Sequence, residues 1–244
     1  MTDQWQAFLT ANPGLTFPQN SKRSDAGLLI IEGPDAKKFL QGQLTCNMDN
    51  LLLFQPILAA HCNPQGRIIS LFHIMSFSES GFALQMPNEM LSLAKNALQK
   101  YAIFYKVVLH EIQHTNALFV ESPNDFSLKI PSIYANTSEK FLPHDLGLHT
   151  LGVLSFDKGC YTGQEIISRM HYRGKLKNQL CRGIVHLPQP LHRGDDVYDS
   201  YGNVSGSLVD YIAIDHDQYD ILYVTNCTEA LFLDTEKRYS IEIL

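Results

Sequence analysis

Paired cysteines are missing from this chain. The five cysteines, at 46, 62, 160, 181 and 227, are odd in number and none stands in a C-x-x-C pair. That argues against a disulfide framework, and against a zinc or iron–sulfur site built from local pairs; no metal site is expected. The setting such thiols suit is a reducing cytoplasm. Also absent is any uninterrupted run of about 18 apolar residues, so no membrane-spanning helix is expected. The opening residues Met1-Thr2-Asp3-Gln4-Trp5-Gln6 lack the basic start and apolar core of a signal peptide. Positive charge is in short supply, 19 Lys and Arg against 25 Asp and Glu, for a net −6. Direct nucleic-acid binding is therefore not expected beyond a small local contact. What is there, 45% apolar and 18% charged residues over 244 positions, is the composition of a folded chain with one large or two modest domains. There is no internal repeat.

The most informative stretch is Lys158-Gly159-Cys160-Tyr161-Thr162-Gly163-Gln164-Glu165. Two glycines and several polar groups in eight residues suit neither a core strand nor a helix interior, and glycine is used where the backbone bends sharply or approaches something closely. Lys158, and a helix start after the loop, would favour the Cys160 thiolate. Residues 164–170 have the pattern of a short helix with Glu165 in its first turn, as the helix dipole prefers. From 158 to 177 the five cations Lys158, Arg169, Arg173, Lys175 and Lys177 face only Glu165, a local +4 in an acidic chain. Such an island suggests an anionic partner, although a solvated face is the plainer reading of a charge run alone.

Along the chain, 27–32 reads as a buried strand, and Gly33-Pro34 breaks it. Asp35 is a plausible N-cap for a helix whose apolar face is Ala36, Phe39, Leu40 and Leu44. Asn63-Pro64-Gln65-Gly66 is a turn signal, with strands expected over 67–77 and 82–86, a helix over about 88–100 and a strand over 106–112. This β-β-α-β order, with 118–120 as a further candidate strand to close it, suits a ferredoxin-like α+β subdomain at about 55–120. Residues 121–150 are irregular, and a loop of that length is more often functional or a passage between subdomains than slack. After 178 only strands are expected (180–187, 196–199, 203–214, 219–224, 230–233 and 239–244), punctuated by turn residues in the manner of a small closed β-barrel.

These strings resemble the folate-binding YgfZ family, relatives of the glycine-cleavage T-protein (aminomethyltransferase). The resemblance rests on Lys158–Glu165 with Arg169, Tyr172, Arg173 and Gly174, on Phe39-Leu40-Gln41-Gly42-Gln43-Leu44-Thr45, and on Asn63-Pro64-Gln65-Gly66-Arg67. A fourth match is Leu142-Pro143-His144-Asp145-Leu146-Gly147-Leu148, ahead of Ser155-Phe156-Asp157-Lys158. It implies an α+β fold of T-protein type, with a folate-binding region over 1–178 that contains the ferredoxin-like subdomain and a C-terminal small β-barrel over 179–244. It implies tetrahydrofolate as ligand and an accessory role in the assembly or repair of iron–sulfur enzymes, including those that modify tRNA. Iron–sulfur enzymes or their assembly proteins are then the partners, and a cytoplasmic monomer is the default. One departure stands out: where the family often carries Asp, this chain has Asn47, which can hydrogen-bond a pterin but cannot act as a carboxylate base. The chain also looks shorter than many relatives between about 115 and 155.

On this reading Cys160 is a nucleophile or a reversible redox group, and Lys158 either lowers its pKa or pairs with a folate carboxylate. Tyr161 would stack or hydrogen-bond. Gln164 and Glu165 would read a pterin edge or simply form a helix first turn. Arg169 and Arg173 would hold the anionic glutamate tail or bridge to the barrel, and Gln43 and Asn47 are folate contacts. A Cys160–His171 dyad is possible, and Cys46, Cys62, Cys181 and Cys227 are structural. Three functions remain open: a tetrahydrofolate-binding accessory protein, a folate-dependent aminomethyl- or methyltransferase enzyme weakened by Asn47, and a pure interaction module docking through the basic island.

Overall fold

The computed structural model describes residues 25–113, 125–226 and 229–244, with Thr10 alone upstream. The possible strand at 118–120 and Cys227 lie outside the described residues. The apolar run Ala26–Glu32 forms β1, buried at every position but Glu32. Alternation splits its side chains between two faces. Leu29 and Ile31 join Phe39, Leu40 and Phe72 in the main core, while Leu28 and Ile30 meet Met75, Phe77 and Ile112 on the other side. A strand apolar on both faces belongs in the middle of a sheet, and β1 is there. The first sheet runs β2-β3-β4-β1-β5, with β2 at Ile57–Cys62, β3 at Ile68–Ser78, β4 at Gly81–Pro87 and β5 at Val108–Ile112. All its pairings are antiparallel. The sheet thus takes in β1, upstream of the 55–120 stretch.

Helix α1 spans Ala36–Gln41 and α2 spans Asn88–Ala102. In α2 the buried residues Met90, Leu91, Ala94, Leu98 and Ala102 recur every three or four positions, the stripe a helix lays on a sheet. Two expectations need correction at α1. Asp35 does not cap it through its side chain; its carboxylate accepts from the Lys106 N–H at 2.8 Å and ties the helix entry to the approach to β5. Leu44 lies beyond the helix, although it is fully buried and bridges to His61.

Residues 125–163 form turns and bends without a regular helix or strand, yet Phe126, Ile133, Phe141, Leu146 and Leu148 are buried along them. They are folded connection, not slack. Helix α3 follows at Gln164–Arg173. The second sheet runs β10-β6-β9-β8-β7, with β6 at Gln179–His186, β7 at Asp196–Tyr198, β8 at Val204–Ala213, β9 at Gln218–Thr225 and β10 at Glu242–Ile243. Its ladder is open where a closed barrel was expected, and the last strand is two residues long instead of 239–244. The expected strand 230–233 reduces to single bridges, Phe232 to Tyr198 and Phe232 to Ser240. Val209 and Val224 of this sheet reach into the main core, so the two sheets share apolar contact.

Candidate functional site

The site begins where α1 ends. Gln41 Nε2 donates to Asn47 Oδ1 at 2.8 Å, and Gln41 Oε1 accepts from the Met48 N–H at 2.8 Å. Asn47 Oδ1 also accepts from the Asp49 N–H at 3.0 Å, which makes Asn47 the N-cap of a short 3-10 helix, Met48–Asn50. One amide pair therefore fixes the whole turn from 41 to 50.

The Lys158–Gln164 loop closes over this turn. The Thr162 N–H donates to the Gly42 carbonyl at 3.2 Å, and Thr162 Oγ1 donates to Gln43 Oε1 at 3.2 Å. Lys158 Nζ donates to the carbonyls of Leu44 at 2.8 Å and Cys46 at 2.7 Å, and stands 5.0 Å from the centre of the Tyr161 ring. Burial pushes the Lys158 ammonium down to about 8, against the opposite pull of Cys46 and Asp49. The lysine is thus spent on two main-chain carbonyls and holds the loop onto the turn; neither role read for it from sequence includes that bond.

Gly163 precedes α3 with φ +83°, a left-handed conformation that favours glycine. A Cβ there would sit 2.5 Å from the Asn63 carbonyl oxygen and 3.0 Å from the Gly66 Cα. The second glycine of the motif is therefore seated directly on the Asn63–Gly66 turn. Gly159 is different: a Cβ at that position meets nothing within 4 Å. Only one of the two glycines flanking Cys160 is required by close approach.

Cys160 itself is exposed. Tyr161 is buried and its hydroxyl has no hydrogen-bond partner; burial raises its pKa. Gln164 Oε1 accepts from the Tyr161 N–H at 3.3 Å, the helix-first-turn role. Glu165 pairs with Arg169 at 3.0 Å, both largely solvated, a contact of small energetic value. Arg169 is thereby brought to its own helix rather than to the second sheet. Arg173 is exposed in the last turn of α3. The His171 ring lies against Phe156 at 4.1 Å between centres, Tyr172 at 4.8 Å and His144 at 6.1 Å; no such contact joins it to Cys160. Among the described residues no group of three or more His, Cys, Asp or Glu is placed to hold a metal ion.

Two residues that organise the site were not singled out as site residues from sequence. Gln41 holds the Asn47 turn and Thr162 holds Gln43. Both sit inside quoted motifs, but only their partners in space reveal the roles. Thr45 acts similarly, its Oγ1 accepting from the Ala60 N–H at 3.0 Å and its carbonyl from the Ser155 N–H at 2.9 Å.

A scan against models of known protein families matched none. Among curated proteins, the chain is 27% identical to a tRNA-modifying protein YgfZ from Klebsiella pneumoniae, with 83% of each chain covered. It is 28% identical to one from Buchnera aphidicola, over 63% of this chain and 69% of that relative. Its fold is similar to the crystal structure of glycine cleavage system aminomethyltransferase T from Bartonella henselae, with a TM-score of 0.67 at 14% identity, covering 93% of this chain and 86% of that one. By sequence the chain is similar to YgfZ proteins, and by fold to GcvT. In this chain the segments that carry the resemblance meet in space. The α1 end and the Asn63–Gly66 turn both touch the Lys158–Gln164 loop, and the ring of His144 in the fourth segment lies tilted against that of His171 in α3.

Proposed function

We propose that this chain binds tetrahydrofolate and serves as an accessory protein to iron–sulfur enzymes, among them enzymes that modify tRNA, with Cys160 as its reactive group. The observation that carries the reading is the condition of three side-chain amides around the Lys158–Gln164 loop. The oxygens of Gln43, Asn47 and Gln164 already accept hydrogen bonds from within the chain. Each amide keeps its NH2 group for a ligand, and a pterin offers a carbonyl and ring nitrogens as acceptors. By donor chemistry these residues fit the group. Bound tetrahydrofolate would supply a one-carbon unit, and Cys160, exposed in the same loop, would act as nucleophile or redox thiol. The curated relatives named as tRNA-modifying proteins support the link to tRNA modification; a cytoplasmic monomer completes the reading.

The same reading extends to architecture. Strands β5-β1-β4-β3 with α1 and α2 follow the split β-α-β order of a ferredoxin-like subdomain, with β2 added at the edge. The bridges of Phe232 to Tyr198 and Ser240 lie between the outer strands of the second sheet, and we read them as the counterpart of the small C-terminal barrel's closure, without a continuous ladder. The boundary is placed at 178/179, where α3 and its connector give way to β6.

The aminomethyltransferase reading is weaker. Position 47 offers an amide whose oxygen is engaged twice, and the carboxylate in that turn, Asp49, is paired with Lys37 at 2.9 Å in solvent.

The test is calorimetric titration of the reduced protein with tetrahydrofolate, alongside Cys160→Ala and Gln43→Leu. Saturable binding is expected in the wild type and in Cys160→Ala, and about tenfold weaker binding in Gln43→Leu, the loss of one buried hydrogen bond. Absence of binding by a folded wild-type protein would sink the folate reading and leave the interaction module.

A further inference from the structure

The basic island noted in the sequence acquires partners from far along the chain. A cavity of about 490 Å³ opens between the first part of the chain and the second sheet, and it is lined by Arg67, Lys140, Lys175 and Lys177. The only carboxylate on its wall is Asp145. Both oxygens of Asp145 are engaged, one by the Leu142 N–H at 2.9 Å and the other by Asn178 Nδ2 at 3.2 Å. Among the described residues none of the four cations has a carboxylate within ion-pair distance. Arg67 gives one donor to the Lys140 carbonyl, which fixes the guanidinium and leaves the rest of its fork. Lys140 Nζ reaches the Gly194 carbonyl only at 3.4 Å.

Like charges drawn from three separate segments repel one another, so such a cluster is stable only when solvated or when an anion fills it. Here the chain's net charge is −6, yet this one concavity gathers four cations around a single, internally satisfied acid. A fork of guanidinium donors with lysine point charges suits phosphate oxygens. Four cations against one acid match a ligand carrying three or four negative charges, which a single phosphate or a dicarboxylate does not supply. Met170 and Val224 add apolar wall, and the volume leaves room for more than a phosphate chain.

We propose that this cavity binds the polyphosphate of a nucleoside di- or triphosphate, at a site distinct from the amide cluster around Lys158–Gln164. The test is titration of the full chain with ATP, inorganic tripolyphosphate and citrate, in EDTA, at low and moderate salt. A Lys175→Glu/Lys177→Glu variant runs beside the wild type; neither ammonium holds the fold in place, and near-ultraviolet circular dichroism checks this. Saturable, salt-sensitive binding of ATP and tripolyphosphate is expected, weakened about tenfold or more in the variant, with tetrahydrofolate binding unchanged. Tighter binding of citrate than of tripolyphosphate, no saturable phosphate binding, or equal affinity in the variant would each overturn the assignment. So would loss of tetrahydrofolate binding in the variant, which would make the cavity part of the folate site.

Discussion

Cys160 and Cys62 carry the same side chain under opposite conditions. Cys62 is fully buried and burial drives its thiol pKa up; Cys46 is almost as deep and is pushed up to about 11. Cys160 stands in solvent. With iodoacetamide at neutral pH, peptide mass mapping is expected to find Cys160 alkylated first, with Cys46 and Cys62 modified only on unfolding. The histidines tell a related story. His61 is fully enclosed, neither ring nitrogen has a hydrogen-bond partner, and burial lowers its pKa from 6.5 to about 4, assisted by Lys100. His73 and His144 are lowered to about 4 as well, chiefly by burial. Between pH 6.5 and 4 the unfolded chain takes up protons at these positions while the folded chain does not, so stability falls as the pH drops through that window. Urea midpoints measured from pH 7 to pH 4 are expected to fall less steeply for His61→Leu than for the wild type. Equal slopes would show that His61 is not a source of the acid sensitivity. None of this was legible in sequence, where His61 beside Cys62 tempts a metal reading that the lack of a second close-spaced ligand pair argues against.

At the scale of elements, the strands and the longer helix were readable because their apolar spacing is strong. The run 27–31 has no polar interruption, and the α2 stripe repeats for four turns. The stretch from Lys158 to Gly163 was readable as irregular for the converse reason, since its composition fits no regular element. What escaped was everything decided by a partner distant in sequence: Asp35 bonded to Lys106, Lys158 spent on the carbonyls of Leu44 and Cys46. The glycines separate the two kinds of information. Gly163→Ala forces a Cβ against the Asn63 carbonyl at positive φ, and is expected to cost at least about 1–2 kcal/mol in denaturant unfolding. Gly159→Ala, in open space, is expected to be neutral to within about 0.5 kcal/mol. If the two variants proved equally stable, the seating of the loop on the Asn63–Gly66 turn would be wrong.

The molecule as a whole depends on a clamp between its irregular connection and its second sheet. Arg193 bonds Asp210 at 2.8 Å, with the acid fully buried, and its guanidinium lies between Tyr134 at 3.7 Å and Tyr211 at 4.4 Å. Asp210 also accepts from the Ser132 N–H at 3.0 Å and the Tyr211 N–H at 2.9 Å. Arg193→Ala removes the guanidinium partner of that buried carboxylate and leaves its two backbone donors in place. It is expected to destabilise the chain by about 3 kcal/mol, the lower end for a broken buried pair because those donors remain; thermal and urea unfolding check this. Ligand linkage gives a second expectation at this scale. Tetrahydrofolate at about 100 times its Kd should raise unfolding stability by about 2.7 kcal/mol, and no shift in melting would contradict the folate reading. The central place of β1 has one more consequence, and it concerns time. Its neighbours are β4 and β5, and Leu28 is in register with Gln85 on one side and Ile112 on the other. During synthesis at roughly 5–20 residues per second, this mostly apolar, β-prone segment emerges roughly 4–16 s before β5 does. For that interval it is an open template for any other nascent strand, so the ribosome-bound chain is at its most vulnerable before half of it has been made.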